Sequence, residues 1–256
     1  MSRPKVIFEL TQPGTWLEIG DRDIGSKIEG FISSIASSFY GANAALWLFE
    51  DAYDTPTTST SPTEREAENQ RRREIQDRLR TEHGYTDAVY DQADLLLKRE
   101  QWQEGKIPRE IEGAFTFLHA HSFLYKLDEI GRFLNVLAEA EGVPENARRA
   151  AMRFDTELSQ VREIRNSAAH TEDRVRGLGP RNKPIPYQPV EHYGISAPGG
   201  VSVISSLYNQ TLNYTVADGH LVGIDVTPET LAHVQSIIQE LLNALAWRGS
   251  ARHYPS

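Results

Sequence analysis

The stretch PENARRAAMRFDTELSQVREIRNSAAH, residues 144–170, carries Ala147, Ala151, Phe154, Leu158 and Val161 at steps of four and three. That spacing is the buried face of an α-helix at 3.6 residues per turn, and Pro144 suits a helix start. Extended by four and three, the same face reaches Arg165 and then Ala168. An arginine where the pattern asks for an apolar side chain is costly unless it is paired or reserved for a ligand.

Outward from this helix the chain repeats the pattern. Toward the N-terminus, Phe123, Leu127, Ile130, Leu134 and Leu137 mark a helix that Pro108 opens and Gly142 ends. The segment from Thr63 to Gln103 is highly charged and reads as a long helix or a helix pair broken at Gly84. A polar loop occupies 54–63. Before it, Ile28, Phe31, Ile32, Ile35, Phe39, Ala42, Leu46 and Phe49 predict a helix between Ser26 and Ala52.

Toward the C-terminus, Pro180, Pro184, Pro186, Pro189 and Pro198 make 177–200 a Pro-rich loop. Over 201–226 the apolar period falls to two, with turns at Asn209-Gln210 and Asp218-Gly219, which predicts a three-stranded antiparallel meander. Thr227-Pro228-Glu229 then starts a last helix whose inner face is Leu231, Val234, Ile238, Leu241 and Leu245. The expected fold is mainly α, a helical bundle in one domain over 1–256, with a small three-stranded β insertion before the last helix.

The chain has 256 residues and a formal charge of -9, which argues against broad, nonspecific binding to nucleic acid. Having no cysteine, it forms no disulfide, iron–sulfur cluster or thiolate zinc site. The N-terminal MSRPKVIFEL lacks a signal-peptide core, and no apolar run approaches the roughly 20 residues that span a bilayer, so a cytoplasmic protein without membrane association is expected.

Chemistry concentrates at the end of the 144–170 helix. Arg162, Asn166 and His170 recur at intervals of four and share one polar row. On an ideal helix Arg165 and His170 point about 140° apart, so they converge only if the helix frays near Ala168-Ala169 or a second molecule contributes. The region also turns basic. Arg162, Arg165, Arg174, Arg176, Arg181 and Lys183 are opposed only by Glu163, Glu172 and Asp173. Such a local excess in an acidic chain suits a phosphate ligand.

The hexapeptide Arg165-Asn166-Ser167-Ala168-Ala169-His170 resembles the signature of HEPN domains, an arginine and a polar residue followed by a histidine near the end of a long helix. The architectural likeness covers roughly Pro108 to Trp247, and the meander resembles an insertion of some bacterial members. The resemblance implies a HEPN-like helical bundle and a homodimeric, metal-independent endoribonuclease that uses no cofactor, of the kind found among toxins and antiviral defence effectors. It implies Arg165, Asn166 and His170 as catalytic residues, RNA as the substrate, and an antitoxin or regulatory protein as a further partner. Arg162, Arg174 and Arg176 are the basic residues expected to contact RNA. Members inactivated by nucleotide transfer often carry tyrosine two positions after the histidine; Glu172 stands there in this chain. The resemblance equally covers non-catalytic dimeric modules that bind RNA, nucleotide or a partner protein.

Simpler roles exist for the same residues. Arg165 can pair with an acid such as Asp128 or Glu129, and His170 can close the helix C-terminus, where a cation is favoured. Elsewhere the signals are weaker. His119 and His121, two apart on a helix, face different ways and make a poor metal pair, and no other histidines show ligand spacing. Arg71, Arg72 and Arg73 lie among acidic residues and read as a solvated helix face.

Overall fold

The structure, a computed structural model, describes residues 5–54 and 61–255. The central part of the expected polar loop at 54–63 lies outside the described residues; its edges, Asp54 and Pro62-Thr63, are helical. The helices are α1 (Arg22–Asp54), α2 (Pro62–His83), α3 (Asp87–Gln103), α4 (Arg109–Glu139), α5 (Glu145–Glu157), α6 (Gln160–Ala169), α7 (Thr171–Val175) and α8 (Pro228–Ala244), with a single 3₁₀ turn at Pro180–Asn182. The strands are short: β1 (Leu10–Gln12), β2 (Trp16–Leu17), β3 (Val190–His192), β4 (Ile195–Ala197), β5 (Ser206–Tyr208), β6 (Thr211–Thr215), β7 (Leu221–Asp225), β8 (Trp247–Arg248) and β9 (Arg252–Tyr254). The protein is mainly α with small antiparallel sheets. None of the described helices is long and apolar enough to cross a membrane.

Two compact units divide the chain, Met1–Asp51 with Phe117–Ser256, and Ala52–Thr116. The larger unit holds the main core. Ile28, Phe39 and Leu46 of α1, Phe123, Leu127 and Leu134 of α4, Phe154 of α5, Ile164 of α6 and Ile238 of α8 belong to one buried cluster. The helix starts have local causes. Asp21 accepts the backbone N–H groups of Asp23 (2.8 Å) and Ile24 (3.2 Å), and Thr227 caps α8 ahead of Pro228. Gly142 turns the chain after α4 with φ +82°, a backbone conformation that favours glycine. Midway along α4, Gly131 lets the Phe154 ring approach so closely that a Cβ there would stand 2.6 Å from it.

The smaller unit is the α2–α3 hairpin, opened by a capping box between Ser61 and Glu64 and broken at Gly84 (φ +77°). Its interior is slight: Ile75, Leu79, Val89, Ala93 and Leu97. Outside it, Arg71 bonds Glu100 at 2.9 Å and Arg72 approaches Asp94 at 2.8 Å, so these arginines brace one helix against the other.

Two sequence expectations need correction. The 144–170 segment is not one helix. It breaks at Leu158 (φ −132°, ψ 35°), with neither proline nor glycine to mark the place. The Pro-rich segment 177–200 is not wholly loop, because β3 and β4 form a hairpin inside it, turning at Tyr193 (φ +54°) and Gly194 (φ +71°). Proline rules out continuous helix but allows short edge strands.

The meander β5-β6-β7 has the expected order. Its first turn uses Asn209 (φ +46°) and Gln210 (φ +67°), the left-handed pair that matches strand twist in a two-residue hairpin. One feature departs from simple alternation: β6 is buried on both faces. Leu212 and Tyr214 enter the core, while Thr211, Asn213 and Thr215 are covered on the other side. There Tyr193 sits against Gly223, and the backbones of Val201 and Val203 bond the Thr215 hydroxyl. The two terminal pairings, β1 with β9 and β2 with β8, carry no periodic signal, being two or three residues long.

Candidate functional site

The break at Leu158 decides how the motif is presented. An unbroken helix would carry the stripe from Val161 to Arg165. After the break, Val161, Ile164 and Ser167 turn inward instead. Arg165 therefore lies at the edge of the buried face, with 19% of its side chain exposed. Its Nε donates to Asp128 Oδ2 at 2.8 Å, and its Nη1 donates to Asn166 Oδ1 at 3.0 Å.

Asp128, on α4, is only 3% exposed, yet three guanidinium groups converge on it. Arg132, one turn along the same helix, reaches Oδ2 at 2.6 Å. Arg162 stands 3.8 Å from Oδ1, too far for a hydrogen bond, and Oδ1 accepts none from the protein. A carboxylate removed from water is tolerated only with such pairing.

His170 ends α6 at the junction with α7, with φ −121° and ψ 42°. Its backbone carbonyl accepts from Asp173 and Arg174, both at 3.1 Å, and its side chain is exposed. The helix thus closes at Ala169, near the point where fraying was required if Arg165 and His170 were to converge. Arg174, expected to meet RNA, is 5% exposed. Its Nε donates to Ser167 Oγ (3.3 Å) and its Nη1 to the Leu178 carbonyl (2.6 Å), tying α7 to the loop beyond it. Arg176 is exposed and bonds Asp173 and the Glu172 carbonyl.

A cavity of about 560 Å³ opens beside this junction. Asn166 and His170 line it, together with Arg174, Arg181 and, from the turn between β6 and β7, Asp218. Arg165, Arg162 and Arg176 do not line it. The structure thus brings Asn166, His170 and Arg174 to one cavity and leaves Arg165 on Asp128, joined to the cavity through Asn166. Arg181 lines it from a left-handed backbone (φ +59°), a conformation that its neighbour Asn182 shares (φ +57°). Strain of that kind in residues with a Cβ needs support from surrounding structure and is frequent at binding sites.

Three oxygen and nitrogen donors also gather here. Side-chain ligand atoms of His170, Glu172 and Asp173 lie within 4.8 Å of one another, the one such group among the described residues. Asp173 is already bonded by Arg176.

Sequence reasoning named Asp128 only as a possible partner and missed Arg132 and Asp218. Arg132 could have been found, since it is four residues from Asp128 on a helix and a pair at that spacing shares a face. Asp218 could not, because its approach to His170 depends on how the meander folds back. His121 meets the Tyr214 hydroxyl through Nε2, tying α4 to β6, and burial holds its imidazole below the ordinary histidine range.

Comparison with protein-family models, curated proteins and solved structures finds no match to this chain.

Proposed function

We propose that the chain is a metal-independent endoribonuclease of HEPN type, working in the cytoplasm as a homodimer. RNA is its substrate, and an antitoxin or regulatory protein is a further partner. The observation that carries the reading is the cavity shared by Asn166 and His170, whose lining sets Arg174 and Arg181 beside Glu163, Asp173 and Asp218, with Arg165 bonded to Asn166. The chemistry begins at His170. His170 takes the proton of a ribose 2′-hydroxyl; the 2′-oxygen bonds to the adjacent phosphorus, and the bond from phosphorus to the 5′-oxygen breaks. The products are a 2′,3′-cyclic phosphate and a 5′-hydroxyl. An imidazole works near neutral pH as base or acid, and guanidinium donors match the phosphoryl oxygens. The leaving oxygen needs a second proton donor, which a His170 from the other subunit supplies across a two-fold axis.

A second reading, a dimeric HEPN-type module that binds without cleaving, is favoured by one observation: Arg165 points to Asp128 and not into the cavity. One experiment separates the two. Purified protein is incubated with RNA and with DNA of the same sequence in excess chelator. Cleavage of RNA alone, leaving a cyclic phosphate, is expected. Binding without cleavage favours the second reading. Activity restored only by a divalent cation would instead bring His170, Glu172 and Asp173 into play as ligands and remove the metal-free mechanism.

A further inference from the structure

The convergence on Asp128 exceeds what the carboxylate needs. One guanidinium neutralises one carboxylate; here Arg132, Arg162 and Arg165 surround it and leave an excess of positive charge in a chain whose net charge is -9. Arg132 pairs with the same oxygen that Arg165 bonds, so their guanidinium groups are near neighbours and repel. Among the described residues Asp128 is the one carboxylate within 4.0 Å of any of the three, and the neighbouring Glu129 pairs with Lys126 at 2.6 Å. Arg162, 48% exposed, and Arg132, 54% exposed, keep most of their donors toward solvent. Such an arrangement is stable when an oxyanion shares the donors, and guanidinium groups prefer phosphate for its geometry.

We propose that Arg132, Arg162 and Arg165, gathered on Asp128, form a site for a phosphate group of a single-stranded polynucleotide backbone, one step along the strand from the cavity. Asp128 acts as the positioning residue. It engages Nε of Arg165 and Nη2 of Arg132 on one oxygen, and so holds the two guanidinium groups beside each other. The Arg165–Asn166 bond links this site to the cavity. The proposal rests on the nuclease reading only for the source of the phosphate. It assigns Arg132, which no motif marks, and it gives Arg162 a ligand in place of a structural partner.

The test uses a ligand that cannot be cut. Binding of a short 2′-O-methyl oligoribonucleotide is measured across a salt series for the full chain and for Arg132→Gln, Arg162→Gln and a control, Arg149→Gln, exposed on α5. Each of the first two variants is expected to weaken binding roughly two- to fivefold. Each is expected to flatten the fall of log affinity with log salt by about 0.7, the value for one lost phosphate contact to a single strand. Arg132→Lys restores the salt slope, because it restores the charge. Arg149→Gln changes neither quantity. Unchanged affinity and slope in both arginine variants overturns the proposal, whether or not the protein cuts RNA. Inorganic phosphate is the second probe. If it binds as tightly as the oligonucleotide and loses that affinity in the same variants, the site takes a free anion and the polynucleotide assignment is overturned. A nuclease that fails to cut, but binds with the expected slopes, removes the catalytic reading and leaves this one standing.

Discussion

Arg165→Ala separates a structural arginine from a catalytic one. The substitution removes a charge-assisted hydrogen bond of 2.8 Å to a carboxylate that is 3% exposed. Stripping a buried ion of all partners costs about 3–5 kcal/mol. Here Arg132 stays on the same oxygen at 2.6 Å, so the loss falls to that of one charged hydrogen bond, about 1.5–3 kcal/mol. Partial exposure of Arg165 lowers it further, and about 1–2 kcal/mol is the expected value. The second substitution, Asp128→Asn, removes the charge that both arginines serve. In urea unfolding, Arg165→Ala, Asp128→Asn and the double variant form a cycle whose coupling term should be at least 0.5 kcal/mol, as for residues in direct contact. Midpoints should shift while the slope against urea stays constant. If Arg165→Ala leaves the midpoint in place and the coupling vanishes, Arg165 is not held on Asp128, and both the anchoring argument and the phosphate site built on it fail. If the coupling is present, any loss of RNA cleavage by Arg165→Ala must be corrected for stability before it is assigned to catalysis.

Other outcomes are expected on different grounds. His170→Ala should abolish most RNA cleavage yet leave stability within about 0.5 kcal/mol, since the side chain is exposed; full activity in that variant ends the assignment. Isolated heterodimers of His170→Ala with wild type should be nearly inactive if two histidines share one cleft, and half of the wild-type rate would show that each chain works alone. Burial depresses the His121 imidazole, so the folded state binds its proton less readily than the unfolded state does. Stability is then full above about pH 6.5 and declines as pH falls below it, and His121→Gln should flatten thermal melts between pH 7 and 5. Gly131→Ala should destabilise by about 1–3 kcal/mol, because its Cβ would meet the Phe154 ring at 2.6 Å; an unchanged melting temperature would mean that the two helices are not so close.

The readable parts of this protein are those in which a local rule and the packing agree. α1, α4 and α8 bury apolar residues at helical spacing, and the end of α4 and the start of α8 coincide with Gly142 and Thr227-Pro228, whose backbone freedom or side chains act within a few residues; α1 begins at Arg22, ahead of the expected Ser26, where Asp21 bonds the first-turn N–H groups. The order of the meander was legible for the same reason, since Asn209-Gln210 accepts left-handed backbone and Leu212 and Tyr214 recur at a period of two. The break at Leu158 had no such local cause. It answers a demand of the interior: rotating the inward face from Arg165 to Ile164 places an apolar residue against the core and carries the arginine to its edge, within reach of Asp128. Continuing the stripe through that break made Arg165 look like a charge forced inward and awaiting a ligand. In the structure a carboxylate from another helix partly meets that need. Arg174 illustrates the opposite case. It counts as one more surface cation in the sequence, whereas folding seats it on Ser167 and the Leu178 carbonyl, under the turn that His170 ends. Charge composition therefore marked a basic region and could not rank its members. That ranking depends on which guanidinium groups are already committed to the fold, and Arg132, Arg162 and Arg181 are the ones that keep donors to offer a ligand.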